Sequence, residues 1–457
     1  MNPEFDVATA FDSPFVRLAL VVIGLGLVYV LLRELRKVPA KLLVLMATAF
    51  MDMVGLLIVV PLLPFYVKNL AGEGATILGL HLEIGLLSGI VVSSFTVAQL
   101  VSAPYWGRFS DRFGRRPALM VALGTQTVAY LILGFANSLF LLFLSRLVQG
   151  SGGGTVGVIQ AYVADTTAPE ERARSLGWLS AATNLGVALG PLLGIAAFEL
   201  GDKDLGPGAM TLRMGHAAPG ILAAVLCAIT LLFCWKYVKE SREHHEQARE
   251  PRHAREALRH VITHASEPSS RLIWIYAITM GAFQGTFPVL PLFLNAEFGV
   301  TERTIGYFYT YIGAISVFTR ALVLGHAVDR LGEARLSRVG LVLLAVGLAG
   351  MPLSKNFAML ALAVAMIPLG TAFTFPCVTA LLSRVIHSSE RGLYMGLQQT
   401  FGGIARVIGP LSAGLVFDHL GVGVPFLIAG VIVVATISLG LGLDQYAKRP
   451  TPATTPS

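Results

Sequence analysis

The chain has 457 residues, of which 54% are hydrophobic and only 13% are charged. Roughly a quarter of the residues of a soluble globular protein are charged, so this composition excludes an ordinary soluble domain. The formal net charge is +7. In a soluble protein that excess would suggest nucleic-acid binding, but in a membrane protein Lys and Arg collect in cytoplasmic loops. We therefore expect a membrane protein surrounded by lipid, with no nucleic-acid partner.

The first apolar run covers residues 14–32 and is long enough to cross a bilayer as a helix. It follows an acidic tail at residues 1–13 and precedes Arg33, Arg36 and Lys37. This asymmetry predicts an extra N-terminal transmembrane helix with its basic link over 14–37, and an N-terminus outside the cell. The basic residues after the run favour a retained span over a cleaved signal peptide.

Twelve further apolar runs follow, in two sets of six, and the links between them alternate between rich and poor in Lys and Arg. This alternation puts both ends of the twelve-span unit, and thus the C-terminus, in the cytoplasm. The predicted spans are 41–67, 84–106, 117–136, 138–163, 175–200, 215–238, 272–295, 304–327, 336–354, 357–384, 392–417 and 423–443.

The domain organisation follows from these sets. We predict an N-terminal six-helix bundle at 38–238, a cytoplasmic linker at 239–270 and a C-terminal six-helix bundle at 271–444. A Pro/Thr-rich tail at 445–457 is predicted to be disordered. The linker holds five His in an irregular mixture with Arg and Glu. We interpret it as a solvated segment, and since the three Cys also lack metal-ligand spacing, we expect no metal site.

A charged link between the second and third of the twelve spans, Gly107–Pro117, shows that the two sets are related. Its Gly, Asp, Arg and Gly recur with the same spacing in Gly325–Gly332. Pro61–Pro64 and Pro288–Pro291 form a second matching pair. Two related halves are typical of a transporter with its substrate site between the halves, near the middle of the membrane.

Four motifs carry a resemblance to a known family. Gly107–Pro117 resembles the cytoplasmic signature of the major facilitator superfamily. Asp52–Gly55, Arg146–Gly152 and Gly186–Gly194 resemble, in order, the first-, fourth- and fifth-helix motifs of its drug:proton antiporter branch, the tetracycline and multidrug exporter type. The resemblance covers about 41–443.

This resemblance implies an all-α polytopic membrane protein with the major facilitator fold. Two six-helix bundles in a pseudo-twofold arrangement would be joined to the one additional N-terminal helix, giving 13 spans. It also implies a monomer in the inner (plasma) membrane. The proton gradient would supply the energy, and no cofactor is expected.

Three charged residues lie at mid-depth in their spans. At about 1.5 Å per residue, Asp52 is roughly 16 Å from the inner end of its span, and Arg146 and Arg406 reach similar depths. Charges there are costly and usually paired or exposed to a water-filled cavity. Asp52 either takes up and releases protons or is permanently ionised and structural. Arg146 either couples to Asp52, as the resemblance implies, or fastens the fourth span through helix carbonyls. Arg406 either contacts substrate, pairs with Asp52, or binds a backbone carbonyl.

The charged hairpins and the glycine motifs have two interpretations each. The hairpin residues form a cytoplasmic gate that opens and closes, or they only reflect the preference of basic residues for the cytoplasmic side. The glycine motifs give close helix packing, or they also control bending during transport. The residues of the gate are Gly107, Asp111, Arg112, Gly114, Arg115, Arg116, Asp329 and Arg330, and those of the packing motifs are Gly186, Gly190, Pro191, Gly194, Gly409 and Pro410.

A set of aromatic and amide side chains in the second half favours an amphipathic organic substrate. Each of them alone is equally consistent with packing or lipid contact. Together with Arg406, the predicted substrate cavity consists of Gln284, Phe283, Phe287, Phe373, Phe375 and Gln399.

The leading function is a secondary active transporter, a proton-coupled antiporter that exports amphipathic organic compounds or drugs by alternating access. A proton-coupled transporter of one metabolite or lipid is the alternative, and a non-transporting membrane sensor or assembly partner is a further one. An enzyme is not expected, because the polar segments contain neither a nucleophile–base pairing nor a phosphate-binding loop.

Overall fold

A computed structural model gives the structure of the chain. It describes residues 40–72, 74–77, 79–152, 155–167, 169–201, 214–238, 240, 254–387 and 390–447. The predicted helix at 14–37 and the tail after residue 447 lie outside these ranges. All candidate site residues lie within them.

The described residues are almost entirely helical. The helices up to residue 237 are α1 (Ala40–Val59), α2 (Leu63–Ala71), α3 (Ile84–Phe113), α4 (Arg115–Gly134), α5 (Leu139–Ser151), α6 (Thr155–Thr166), α7 (Pro169–Gly201) and α8 (Met214–Tyr237). The later helices are α9 (Ala254–Thr263), α10 (Pro268–Gly285), α11 (Leu290–Phe298), α12 (Ile305–Phe318), α13 (Leu324–Leu331), α14 (Glu333–Leu353), α15 (Phe357–Val385), α16 (Arg391–Leu420), α17 (Val424–Thr436) and α18 (Asp444–Ala447).

Among the described residues, nine helical segments are long and apolar enough to cross a membrane, and the bent pair α10–α11 makes a tenth if it is one span. Two shorter apolar helices are α5 and the segment Val424–Gly440, in which a 3-10 turn at Ile437–Gly440 extends α17. Each of the twelve spans predicted after residue 38 coincides with one or more of these helices. The predicted all-α membrane fold is confirmed, while the total of thirteen spans stays a prediction.

Proline breaks the first span of each predicted set at matching positions. A 3-10 turn at Val60–Leu62 separates α1 from α2, with Pro61 inside the turn. The pair α10–α11 is bent by 44°, and Pro288 lies between the two helices. Proline lacks the N–H that would continue the helical hydrogen bonds, so a break at these residues is expected.

The link after α2 contains a β-hairpin that the sequence did not predict. Strand β1 (Gly74–Ile77) pairs antiparallel with β2 (Leu80–Glu83), and the register runs from Gly74 opposite Glu83 to Ile77 opposite Leu80. Gly79 in the connecting turn has a φ of +80°, a conformation that favours glycine.

By their contacts, the described residues form two compact units. The first is the described part of Met1–Gln247 with Leu290–Gly313, and the second is the described part of Ala248–Val289 with Ala314–Ser457. Within the first unit, α1 packs against α7 and α4 against α8. Within the second, α10 packs against α16 and α14 against α17. The same packing pattern thus recurs in both, as two related halves require.

Glycines allow the closest of these packing contacts. A Cβ atom on Gly186 would lie 2.6 Å from the carbonyl oxygen of Phe50, and one on Gly194 would lie 2.6 Å from that of Ile58. In the second unit, a Cβ on Gly409 would lie 2.3 Å from the carbonyl oxygen of Gly281. Real Cβ atoms do not approach so closely, so these positions hold α7 against α1 and α16 against α10 only as glycine.

Candidate functional site

Asp52 lies in the interior of the first unit, on α1. The residue is buried, with only 7% of its surface exposed. Gln126, on α4 and also buried, is a hydrogen-bond partner of the Asp52 carboxylate. Cys227 of α8 completes this contact, because its thiol donates to the Leu123 carbonyl oxygen at 3.3 Å and lies 3.7 Å from Oε1 of Gln126. Three helices therefore meet at the acid.

A second polar pair lies beside the acid. Nε2 of Gln149, on α5, donates a hydrogen bond of 2.8 Å to the Tyr130 hydroxyl on α4. A Cβ on Gly55, three residues after Asp52 on α1, would lie 3.2 Å from that hydroxyl. The glycine therefore leaves space for the tyrosine. Tyr130 interacts electrostatically with both Asp52 and Arg146. The Tyr130 phenol thus interacts with the acidic side chain of Asp52 and with the guanidinium of Arg146.

Arg146 is the largest fully buried side chain of the described residues, with 1% exposure. Its guanidinium lies 6.0 Å from the ring centroid of Phe95, on α3. Within the described part of the chain, its Nε and Nη2 atoms have no hydrogen-bond acceptor, and no ion pair joins it to Asp52. Tyr130 interacts with both charges and is bonded to Gln149, so it links Asp52 and Arg146 indirectly. We call these side chains the Asp52 network: Asp52, Gln126, Tyr130, Arg146 and Gln149.

Sequence reasoning identified the two charges of this network and missed the three neutral members. The signal for Gln126 and Gln149 was present, because amides inside apolar spans need hydrogen-bond partners. Tyr130 carried no distinguishing signal, since tyrosine is common in membrane spans.

The first charged hairpin is held to the end of α8. Glu240, which sequence analysis did not single out, accepts hydrogen bonds from the backbone nitrogens of Arg115 at 2.9 Å and Arg116 at 3.1 Å. These N–H groups begin α4 and have no partner within the helix. Nη2 of Arg116 also donates to the carbonyl oxygen of Trp235 at 2.5 Å. The hairpin is thus fastened to α8.

Gly114 allows this contact, and the other residues of the hairpin have different surroundings. Gly114 has a φ of +101°, and a Cβ there would lie 2.3 Å from Oε2 of Glu240, so only glycine permits the approach. Asp111 forms an ion pair with Arg115, with 3.0 Å between Oδ1 and Nη1. Arg112 lies over the Phe113 ring at 5.3 Å, and Gly107 has open space around it.

The matching hairpin in the second unit is more open. Asp329 and Arg330 are both exposed, and neither forms an ion pair within the described part of this unit. Gly332 has a φ of +72° and repeats the conformation of Gly114. The charged contacts lie one helix further on, where Glu333 pairs with Arg384, and Arg338 pairs with Asp444 at 2.7 Å.

The predicted substrate cavity is brought together only in part. The ring centroid of Phe283 lies 5.2 Å from that of Phe287 and 6.4 Å from that of Phe375. Tyr276, which sequence analysis missed, joins this cluster at 5.3 Å from Phe375. Phe373 lies elsewhere, in a hydrophobic core cluster of the second unit.

The polar members predicted for the cavity are not gathered around these rings. Gln284 and Arg406 are half-buried, and Arg406 forms no ion pair within the described part of the second unit. Gln399 is exposed. Its neighbour Gln398 is instead the buried amide, with Oε1 accepting a hydrogen bond of 3.2 Å from Thr379.

A separate apolar groove of about 470 Å³ lies between α10, α16 and α17. It is lined by small and aliphatic residues together with Trp274 and Phe401, and it contains none of the seven predicted cavity residues. Ile404 and Ile408 on its wall are 45% and 59% exposed. Because the groove contains none of the predicted cavity residues, we do not assign it to transported substrate.

Buried charges within spans, charged hairpins at span ends and two halves with one packing pattern are features of a multi-span membrane transporter. The family comparison agrees. The Major Facilitator Superfamily model matches residues 45–323 and 272–457, and the chain belongs to this superfamily.

Relatives of known function are similar along most of the chain. Multidrug resistance protein 2 of Bacillus subtilis (strain 168) is 26% identical, over 89% of this chain and 94% of its own length. Tetracycline resistance protein, class B, of Escherichia coli is 26% identical, over 81% of this chain and 86% of its own. The crystal structure of the human organic anion transporter MFSD10 (TETRAN) superposes with a TM-score of 0.65 at 22% identity, over 88% of this chain and all of its own.

The chain is therefore a multi-span membrane transporter with the major facilitator fold, as the four motifs predicted. Its relatives are transporters of small organic substrates, and the expectation that the chain is not an enzyme is confirmed.

Proposed function

We propose that the chain is a proton-coupled antiporter that exports amphipathic organic compounds across the inner membrane by alternating access. The Asp52 network is the observation that carries this proposal. Asp52 is the only acidic residue buried in the interior of a span among the described residues. A proton-coupled carrier needs one group that is neutral in one state and charged in another, and Asp52 is the group available for that role.

The unmade hydrogen bonds of Arg146 support coupling between protonation and conformation. A buried donor without an acceptor costs about 1–3 kcal/mol, and more when it is charged. Nε and Nη2 of Arg146 have no acceptor among the described residues, so a conformation that brings an acceptor to them would be favoured. A shift that brings the Asp52 carboxylate to Arg146 would satisfy the donors and favour release of the proton. Tyr130, which interacts with both groups, would transmit the change.

The aromatic cluster and the relatives support an amphipathic organic substrate. Phe283, Phe287 and Phe375, which are half-buried, offer apolar and π surfaces to an amphipathic molecule. Relatives named for multidrug and tetracycline resistance are similar along most of this chain, which favours export of organic drugs.

Transport in everted membrane vesicles tests the proposal. We expect vesicles with the chain to accumulate a fluorescent organic cation or labelled tetracycline when the lumen is acidic, and to lose this accumulation when an ionophore abolishes the pH gradient. Accumulation that is insensitive to the ionophore would exclude proton coupling. Transport of a single metabolite, with no transport of a broad panel of drugs, would favour the alternative of a transporter for one metabolite or lipid.

A further inference from the structure

Three side chains with metal-binding groups meet at the end of the linker helix α9. His260 and His264 lie one helical turn apart, and their rings stack with centroids 4.5 Å apart and planes 12° apart. Glu267 stands just before α10, with its Oε1 atom 3.4 Å from Nε2 of His260. One ligand atom from each of the three lies within 4.8 Å of the other two.

The backbone holds the three together. The amide of His264 donates to the His260 carbonyl oxygen at 2.8 Å, and the amide of Glu267 donates to the His264 carbonyl oxygen at 3.1 Å. These bonds fold the link from α9 to α10 back on itself. Glu267 is the N-cap residue of α10, yet its side chain makes no capping hydrogen bond. Its carboxylate is directed to the histidines instead.

The hydrogen bonds of His264 select the tautomer that a metal requires. The Thr263 hydroxyl donates to the Arg259 carbonyl oxygen at 2.9 Å, so its proton is used. It lies 2.9 Å from Nδ1 of His264 and can only accept there. Nδ1 of His264 therefore carries the proton, and Nε2 is left with its lone pair. This outer hydrogen bond is the usual support of a metal-binding histidine.

His260 presents the same nitrogen. Its Nδ1 is buried without a hydrogen-bond partner among the described residues, and its Nε2 faces the Glu267 carboxylate. An ion bound between these two atoms would replace the proton on Nε2. Zinc bonds to nitrogen and oxygen are about 2.0–2.1 Å long, and tetrahedral geometry then puts two ligand atoms about 3.3 Å apart. The separation of 3.4 Å between Nε2 of His260 and Oε1 of Glu267 matches this value. The His264 ring is stacked on the His260 ring with planes 12° apart, so it must turn for its Nε2 to face the same ion.

We propose that His260, His264 and Glu267 bind a divalent transition-metal ion of the zinc type. Two His separated by one helical turn and one carboxylate form a common ligand set for zinc, with water in the fourth position. Imidazole ligands disfavour Mg²⁺ and Ca²⁺, which prefer oxygen. This departs from our sequence-based expectation of a solvated linker, because only the fold brings Glu267 to the two His.

A bound ion would fix α9 against α10. The Trp274 indole of α10 already donates to the Val261 carbonyl oxygen of α9 at 3.3 Å, and Val261 is fully buried. The metal would add a second link between the two helices, through His260 and His264 at the end of α9 and Glu267 at the start of α10. Metal binding would therefore order the linker at the point where it enters the second unit, independently of the transported substrate.

Cobalt binding to the purified full chain tests the proposal. The protein would carry no histidine tag and would be freed of metal with a chelator. We expect Co²⁺ to saturate at one ion per chain with the visible absorption of nitrogen-coordinated cobalt, and Zn²⁺ to displace it. We also expect Zn²⁺ to raise the Tm, since an ion that binds only the folded state stabilises it.

Variants at exposed or half-exposed positions keep the fold and locate the ion. His264→Gln and Glu267→Gln should each weaken Co²⁺ binding about tenfold or more, the lower limit for loss of a supporting group at metal sites. His326→Gln is the matched control, an exposed His on α13 outside the cluster, and should bind like the unaltered chain. Absence of saturable binding would overturn the proposal. Equal binding by all three variants would do the same, because the ion would then lie elsewhere.

Discussion

The hydrogen bond of 2.8 Å from Gln149 to the Tyr130 hydroxyl joins α5 to α4 beside the buried acid. It aligns a phenol that interacts with both Asp52 and Arg146. The neutral members of the Asp52 network thus hold its two charges in one arrangement, and they are accessible to mutation without changing the charge of the site.

Tyr130→Phe removes the hydroxyl and leaves the ring. The Gln149 amide then lacks its acceptor in a buried site, so we expect a loss of about 1–3 kcal/mol in stability. Gradient-driven transport should fall more than substrate binding, because the connection between Asp52 and Arg146 is lost. Thermal unfolding and transport assays measure the two effects. Gln149→Leu should cause a similar loss, and the double variant should lose less than both losses together. Full additivity would show that the pair does not act as a unit.

Glu240→Gln tests the contact that holds the first hairpin. The carboxylate of Glu240 interacts favourably with the partial positive charge at the start of α4. Replacement by the neutral amide should therefore lower the stability by about 0.3–1 kcal/mol. Gly114→Ala should cost more, because its Cβ would clash with Glu240 and the φ of +101° is unfavourable for alanine. The Tm of each variant shows whether Gly114→Ala is more destabilising than Glu240→Gln. An unchanged Tm for Gly114→Ala would contradict the described contact.

Gly190→Ala tests the packing of α7 on α1. The new Cβ would lie 2.7 Å from the Cβ of Leu57, so we expect a destabilisation of about 1–3 kcal/mol. Gly177→Ala on the same helix is the control, since no atom lies within 4 Å of its Cβ. There the better helix propensity of alanine should leave the Tm unchanged or raise it. Equal effects of both substitutions would show that close packing is not what Gly190 provides.

Asp111→Asn separates a gate from a topology signal. The ion pair with Arg115 is partly exposed, so its loss should change stability by no more than about 1 kcal/mol. If the carboxylate stabilises one state of the carrier, turnover should fall while substrate binding persists. Reconstituted transport and equilibrium binding distinguish these. Asp329→Asn, at the matching exposed position, is the control. Unchanged turnover for Asp111→Asn would leave the hairpin as a signal for membrane topology.

Long apolar runs predicted the helices after residue 38 well, because the bilayer demands long apolar helices with satisfied backbones. They did not predict which of two neighbouring residues on a helix is buried and which is exposed. Gln399 was chosen for the cavity, but Gln398 is the buried amide. Glu240 could not be found from its local sequence, since its partners lie at the start of α4, far along the chain. Contacts of this kind depend on tertiary structure alone.

The charged members of the site were predictable for the opposite reason. Asp52 and Arg146 stand out in apolar spans because burial of a charge is costly and needs a function or a partner. The absence of a direct ion pair between them, among the described residues, was not predictable, since it depends on the conformational state. The groups that bridge them were invisible for the same reason as Glu240.

Gradient-driven accumulation by Asp52→Asn in proteoliposomes tests the central claim most directly. Asparagine keeps the shape of the side chain and the contact with Gln126 but cannot titrate. We expect the variant to fold, to bind substrate and to exchange labelled for unlabelled substrate without a gradient. It should show no accumulation when a pH gradient is imposed. Accumulation equal to that of the unaltered chain would contradict the account, because the coupling proton would then be carried by another group.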